Sequence, residues 1–437
     1  MTNCTPNKFY FPALKQRVIE ASFSGGEVTS DGGALLLREV DRQLGLTQAL
    51  NEVVPDPRNP LLIEHSQLSL LRQRIYGIAL GYEDLNDHSE LRTDPLFQTA
   101  VERDEPLGSS ATLCRLENRS TRQVAVEMNR VWVETFIKSF KNAPPELILD
   151  FDPTDDEVHG DQEGRFYHGY YGHYCFLPLY VFCEGQLLVS YLRRSNDDAA
   201  KHAWAILALL VKRLRQEWPE VRIIFRGDGG FCRHRMLSWC ERHHVGYITG
   251  IAKNKRLLAQ TKALQAQAAL TYEQTQEKQR LFGEVRYAAG TWKTQRRVVV
   301  KAEHTRQGAN PRFVVTNLDG DPQALYETIY CARGDMENRI KEQQLDMFAD
   351  RTSCHAWWAN QFRLLLSSAA YVLVSGIRRL GLQGTELARA QCGTIRLKCF
   401  KIGAVIIRNT RRVKVMLSSH YPYQNLLTHL VAQLSAG

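Results

Sequence analysis

The sequence predicts an α/β protein: a mixed-sheet core carrying a β-strand insertion, with a helical N-terminal region in front of it. Three observations lead there. Helical periodicity dominates residues 1–145; after Pro144-Pro145, β-branched and aromatic runs alternate with helical ones; and a second strand-rich block, 252–320, interrupts the alternation before a long helical pattern resumes. At 437 residues the chain has material for several domains, and 44% hydrophobic with 24% charged residues excludes disorder as the main state. The longest apolar-leaning run, Leu364 to Ile377, contains three serines and is too short for a bilayer, so it reads as a buried helix with no membrane partner expected. The start, MTNCTPNKFYFPALKQ, has no leader pattern. The ten cysteines include no CxxC pair, which points away from zinc knuckles and toward small buried residues in a reducing cytoplasm.

In the first region, Ser30 or Asp31 can cap a helix through Leu35, Leu36, Leu37 and Val40 that ends near Gly45. Ser66 opens a helix with Leu68, Leu71, Ile75 and Ile78 on one face and Gly81 as its stop. Short helices are expected near Asp84–His88 and Pro95–Glu102, another after Ser109, and a long one after Thr121 through Val124, Met128, Val131, Trp132 and Phe136. Short helices joined by tight turns suit a helix-turn-helix-like DNA reader, and equally any small bundle. Ala143-Pro144-Pro145 is the linker.

Strands then follow at LILDFD (147–152), YCFLPLYVF (174–182) and QLLVSYL (186–192), with turn residues between them. Asp197-Asp198 caps a helix to Trp218; VRIIFRG (221–227) is a strand, Arg233–His243 a helix, and VGYITGI (245–251) a strand. The order β-β-β-α-β-α-β is that of an RNase H-like sheet, so 146–251 is the first part of such a core. A Gln-rich helix and antiparallel strands fill 252–320 as an insertion, and 321–380 is the helical second part, broken near Arg351–Ser353. The last segment, 381–437, is basic. From Gly376 onward there are ten Lys and Arg against Glu386 alone, equal to the net +9 of the whole chain. Such a region suits a polyanion partner and equally a solvated basic surface, and KCFKIGAVIIRNTRRVKVML has enough alternation to fold as a strand.

Chemistry concentrates at three places. Asp150 and Asp152 lie two apart on the first core strand and so share a face, which Thr154 continues. Asp228 lies just past the fourth strand in RGDGGF, where glycines leave room for a substrate backbone. In an RNase H-like sheet those two strands are neighbours, so the carboxylates meet at the strand ends. Tyr330, Arg333, Glu337 and Lys341 step by three, four and four, which stacks phenol, guanidinium, carboxylate and ammonium along one helix face. Histidines at 159, 168, 243 and 244 read as exposed loop residues.

LDFDPTDD, RGDGGF and YCARGDMENRIKE resemble the catalytic segments of DDE transposases of bacterial insertion sequences. The nearest group carries a tyrosine–arginine–glutamate–lysine signature and a β-strand insertion. EVTSDGGALLLREVD and HGDQEGRFYHGYYGHYCFLPLYVF are similar to that group as well, and the resemblance spans about 20–380. It implies that Asp152, Asp228 and Glu337 form the catalytic, metal-binding triad, while Tyr330 and Arg333 contact DNA. The signature lysine would fall seven residues after the glutamate, where Gln344 stands; Lys341, one turn earlier, is the substitute. In related transposases an aromatic of the insertion stacks on an extruded base, and Trp292, in GTWKTQRR, is placed for it, with packing on its own sheet as the alternative.

Three converging carboxylates need a cation, and hard oxygen donors favour Mg²⁺, with Mn²⁺ as substitute. Two ions, roughly 3.5–4 Å apart, would clamp attacking and leaving oxygens of an in-line phosphoryl transfer. The expected function is therefore cut-and-paste DNA transposition on double-stranded terminal inverted repeats and target DNA, by a homodimer or larger assembly at the bacterial nucleoid. An RNase H-like endonuclease without strand transfer, and a catalytically silent DNA-binding regulator, are the alternatives.

Overall fold

A computed structural model of the chain describes residues 8–435. Two compact units emerge: Met1–Arg119, Asp346–Phe348 and Ala369–Gly437 form one, and Ser120–Leu345 with Ala349–Ser368 form the other.

The first unit opens with a feature absent from the sequence reading, an antiparallel hairpin of β1 (Lys8–Leu14) and β2 (Arg17–Ser22), followed by β3 (Glu27–Thr29). Phe9, Phe11 and Ile19, which alternation places on one face of the hairpin, are exposed. Next come α1 (Ala34–Leu44), α2 (Leu46–Val53), α3 (Gln67–Leu80), α4 (His88–Leu91), α5 (Pro95–Val101) and α6 (Ser110–Glu117). Their starts are local. Ser66, Asp94 and Ser109 each accept a hydrogen bond from the backbone N–H three residues on, satisfying a donor that the first turn leaves open. Gly45 and Gly81 close α1 and α3 in the left-handed region. Neither Ser30 nor Asp31 caps α1. Asp31 is buried instead, ion-paired with Lys401 at 2.7 Å and accepting a hydrogen bond from the Tyr82 hydroxyl at 2.6 Å.

The second unit begins with α7 (Arg122–Lys138), capped by Thr121, and then builds a mixed sheet. Its elements are β4 (Glu146–Pro153), β5 (Asp156–Glu157), β6 (Phe166–His168), β7 (His173–Phe176), β8 (Leu179–Cys183), β9 (Gln186–Tyr191), α8 (Ala203–Glu217), β10 (Arg222–Gly227), α9 (His234–Arg242) and β11 (Gly246–Ile251). The expected strand YCFLPLYVF is two strands: β8 joins the main sheet, while β7 pairs with β5 and β6 in a small separate one, the break falling at Leu177-Pro178. α8 starts at Ala203, because Asp198 spends its carboxylate on the Ala200 N–H and on Arg233.

The insertion follows as α10 (Lys255–Gln260), α11 (Lys262–Thr275), β12 (Gln279–Tyr287), β13 (Arg296–Thr305), β14 (Gly308–Ala309) and β15 (Arg312–Thr316). These strands extend the core sheet: β15 pairs antiparallel with β11, placing Val315 opposite Thr249, and the sheet order is β12-β13-β15-β11-β10-β4-β8-β9. β4, β10 and β11 run parallel and the other pairs antiparallel. Leu207, Leu210 and Leu214 of α8 and Met236 and Leu237 of α9 share one core with Leu149, Ile223 and Tyr247 of the sheet.

After α12 (Pro322–Ala324) the backbone makes a wide π turn at Leu325–Tyr330 and a tight 3₁₀ turn at Cys331–Arg333, then settles into α13 (Gly334–Lys341). α14 (Trp357–Leu380) contains the run read as a buried helix, and no helix among the described residues is long and apolar enough to cross a membrane. The basic segment folds as α15 (Cys392–Ile395), β16 (Ala404–Asn409), β17 (Arg412–Leu417) and α16 (Gln424–Ser435). β16 pairs with β3 in the first unit, setting Ala404 opposite Thr29.

Candidate active site

β4 presents Asp150 and Asp152 on one face, while Phe151 points the other way into the core against Phe225 and Phe231, with ring centroids at 5.1 and 6.1 Å. The parallel register sets Asp150 opposite Arg226 and Phe151 opposite Gly227, so Asp152 and Asp228 follow at the two adjoining strand ends. Gly227 is needed there: a Cβ would stand 2.9 Å from the Phe231 ring. Asp228 caps the short turn after β10, its carboxylate accepting from the Gly230 N–H at 2.8 Å.

The two acids of β4 have different partners. Arg226 holds Asp150 through both carboxylate oxygens and also donates to the Ile329 carbonyl, so Asp150 is a structural ion pair. Asp152 is buried, at 8% exposure, and accepts from Arg333 Nη1 at 3.1 Å, while Arg333 Nη2 donates to Glu337 Oε1 at 2.9 Å. One guanidinium therefore links a carboxylate of the sheet to one of α13.

Burial pushes the Asp152 carboxyl up to about 7; Arg333 opposes this, and Asp228, Glu337 and Asp150 add to it. Burial also raises the Tyr330 phenol, with Asp228 pushing the same way and Arg333 opposing. For Arg333, burial acts downward, but Asp152, Tyr330, Glu337 and Asp228 outweigh it and hold the guanidinium charged. Asp152, Asp228, Glu337, Tyr330 and Arg333 thus share one electrostatic neighbourhood. Among the described residues, however, no three carboxylate, imidazole or thiol groups gather closely enough to hold one metal ion.

Tyr330 reaches the site across Gly250 of β11, where a Cβ would lie 2.7 Å from its hydroxyl and 3.1 Å from the Gly229 N. Lys341, the fourth member of the stripe, is exposed on α13. Gln344, at the signature lysine's position, accepts from Thr154 Oγ1 at 3.3 Å and donates to the Asp155 carbonyl at 2.7 Å. Arg226 went unnoticed in the sequence, and Gln344 was named there only as the residue standing where the signature lysine would fall. The signal for Arg226 was available, since aligning β4 with β10 puts it opposite Asp150; the fold alone brings Gln344 to Thr154.

Trp292 is half-buried, with its ring edge-on to Tyr287 at 5.6 Å and beneath the Arg296 guanidinium at 4.9 Å. Arg296 is itself buried and fixed by both oxygens of Glu241. His243 and His244 are exposed, as is His159, and His243 stacks on Trp239, whereas His168 is no exposed loop residue but ends β6, half-buried against Tyr171.

Residues 11–436 match the family model described as transposase DDE domain group 1, and the chain belongs to that family. It is thereby a transposase chain of the DDE type. No curated protein sequence matches it. Among solved structures it is similar to the piggyBac transposase synaptic complex with hairpin DNA, determined by cryo-EM. That likeness has 11% sequence identity and a TM-score of 0.42, and covers 84% of this chain and 79% of the other.

Proposed function

We propose that this chain excises and inserts a bacterial insertion sequence by a cut-and-paste route. It would cleave double-stranded DNA at terminal inverted repeats and join the freed 3′ ends to target DNA. The observation that carries the reading is the Arg333 bridge between Asp152, at a strand end, and Glu337, on a helix, with Asp228 and Tyr330 in the same electrostatic neighbourhood. An RNase H-like core is supported by the strand order β9-β8-β4-β10-β11, with a three-strand meander and two parallel additions. The insertion is then a sheet extension.

The residues fit a divalent-metal site in their donor chemistry: burial and the neighbouring Asp228 and Glu337 push the Asp152 carboxyl up to about 7, and a cation beside it would restore its charge. Asp152, Asp228 and Glu337 would hold two Mg²⁺, or Mn²⁺, ions. When bound, the ions supply charge stabilisation for in-line phosphoryl transfer. Arg333 offers a planar two-donor fork to a DNA phosphate, and Tyr330 a single hydroxyl donor to the same backbone. Lys341, being exposed, adds a charge contact. The helices of the N-terminal region read the repeats, Trp292 is the candidate for stacking on an extruded base, and two DNA ends require at least two protomers.

The test is a strand-transfer assay with a labelled duplex bearing the repeats that flank the gene. Wild type should nick and join in Mg²⁺. Asp152→Asn, Asp228→Asn and Glu337→Gln should each abolish both steps while DNA binding persists. Nicking without joining would reduce the protein to a nuclease, and neither step with intact binding would leave a regulator.

A further inference from the structure

The two arginines of the site hold their carboxylates differently. Arg226 is locked: its side chain is 8% exposed, it grips Asp150 at both oxygens, and a backbone carbonyl takes a further donor. Arg333 is 20% exposed and makes one bond to Asp152 and one to Glu337, the latter carboxylate being half-exposed. Its backbone ends a 3₁₀ turn and is followed by Gly334, beside which a Cβ would meet nothing. The guanidinium thus bridges two of the three carboxylates assigned to metal, on atoms a metal would need, and with room to leave.

We propose that Arg333 is the resident counter-ion of the free protein, keeping divalent metal out until a DNA phosphate draws it away. The inference rests on the metal-dependent reading above. A guanidinium and a divalent ion cannot share Asp152 Oδ2, because like charges at that separation repel strongly away from bulk water. A phosphate competes for the same planar fork that now holds Asp152 and Glu337. Once it captures Arg333, Asp152 and Glu337 are left beside Asp228 with no cation between them, and their demand for metal rises. Metal loading would thus follow DNA binding.

The experiment measures Mn²⁺ binding to the full chain without DNA, by loss of the free-ion electron paramagnetic resonance signal. Arg333→Ala should bind at least about tenfold tighter than wild type, since a nearby positive charge is removed from the site. Arg333→Gln, which keeps a polar side chain if the alanine variant folds poorly, should shift the same way. Equal affinity in wild type and both variants overturns the counter-ion role while leaving the metal reading intact. A gain that survives Asp152→Asn in the Arg333→Ala background places the ion elsewhere and overturns both. The DNA step is read by Fe²⁺-mediated backbone cleavage. Cuts beside Asp152 and Asp228 should need duplex DNA in wild type but not in Arg333→Ala, and cuts in wild type without DNA overturn the release by phosphate.

Discussion

Arg226 of β10 and Asp150 of β4 face each other in parallel register and form a two-pronged ion pair, both side chains nearly buried. That pairing separates the roles of two aspartates that the sequence places on the same strand face. Asp150→Asn should cost about 3 kcal/mol, because it leaves the Arg226 charge buried without its partner. Asp152→Asn should abolish Mg²⁺-dependent nicking with no loss of melting temperature. The folded pKa of Asp152 is raised to about 7, so the stability tied to its proton is complete in acid and is lost as pH rises through neutrality. The neutral amide avoids that loss, and at pH 8 the variant should melt no lower than wild type. Calorimetry alongside a nicking assay checks both. Full nicking by Asp152→Asn, with none by Asp150→Asn, would reverse the assignment.

Gly250 and Tyr330 form a second coupled pair. Gly250→Ala places a methyl 2.7 Å from the Tyr330 hydroxyl, so the phenol must move and cleavage should slow. Tyr330→Phe removes the obstructing atom. In a double-mutant cycle on unfolding, the pair should show a favourable coupling of about 1 kcal/mol or more. Additive effects would mean that Gly250 answers only to the Gly229 backbone.

The basic C-terminal segment divides by structure into internal and external charge. Lys401 neutralises Asp31, Arg396 donates to the Ala79 carbonyl at 2.8 Å, and Arg408 bonds Gln98, whereas Arg411, Arg412 and Lys414 stand exposed on the β16–β17 hairpin. If that hairpin follows DNA backbone, replacing those three by alanine should flatten the slope of log affinity against log salt by roughly two to three, with melting unchanged. Arg396→Ala should lower the melting temperature instead. An unaltered slope in the triple variant would assign the hairpin charge to solvent.

For Trp292 the contacts with Tyr287 and Arg296 make packing the first expectation. Trp292→Ala should therefore destabilise the protein by about 2 kcal/mol and slow both cleavage steps alike. Unchanged melting, with first-strand nicking intact and only second-strand release slowed, would establish stacking on an extruded base.

What the sequence determined by itself is what depends on neighbours within a turn or two. Ser66, Ser109 and Thr121 cap the helices they were expected to open, Gly45 and Gly81 end theirs, and the strands around LILDFD, QLLVSYL, VRIIFRG and VGYITGI form where apolar residues run together. Of the stripe, Arg333 bonds Asp152 of the strand end and Glu337 of its own helix, even though the backbone from Tyr330 passes through π and 3₁₀ turns before it becomes α-helical. Tertiary structure alone decided who pairs with whom. It buried Asp31 against Lys401, locked Asp150 to Arg226, brought Gln344 to Thr154, and joined the insertion to the main sheet through β11 and β15. The physical reason is range. A cap or an apolar stripe is satisfied by the adjacent backbone, whereas a buried charge takes whichever partner the fold delivers, and Arg226 and Asp150 lie 76 residues apart in the chain.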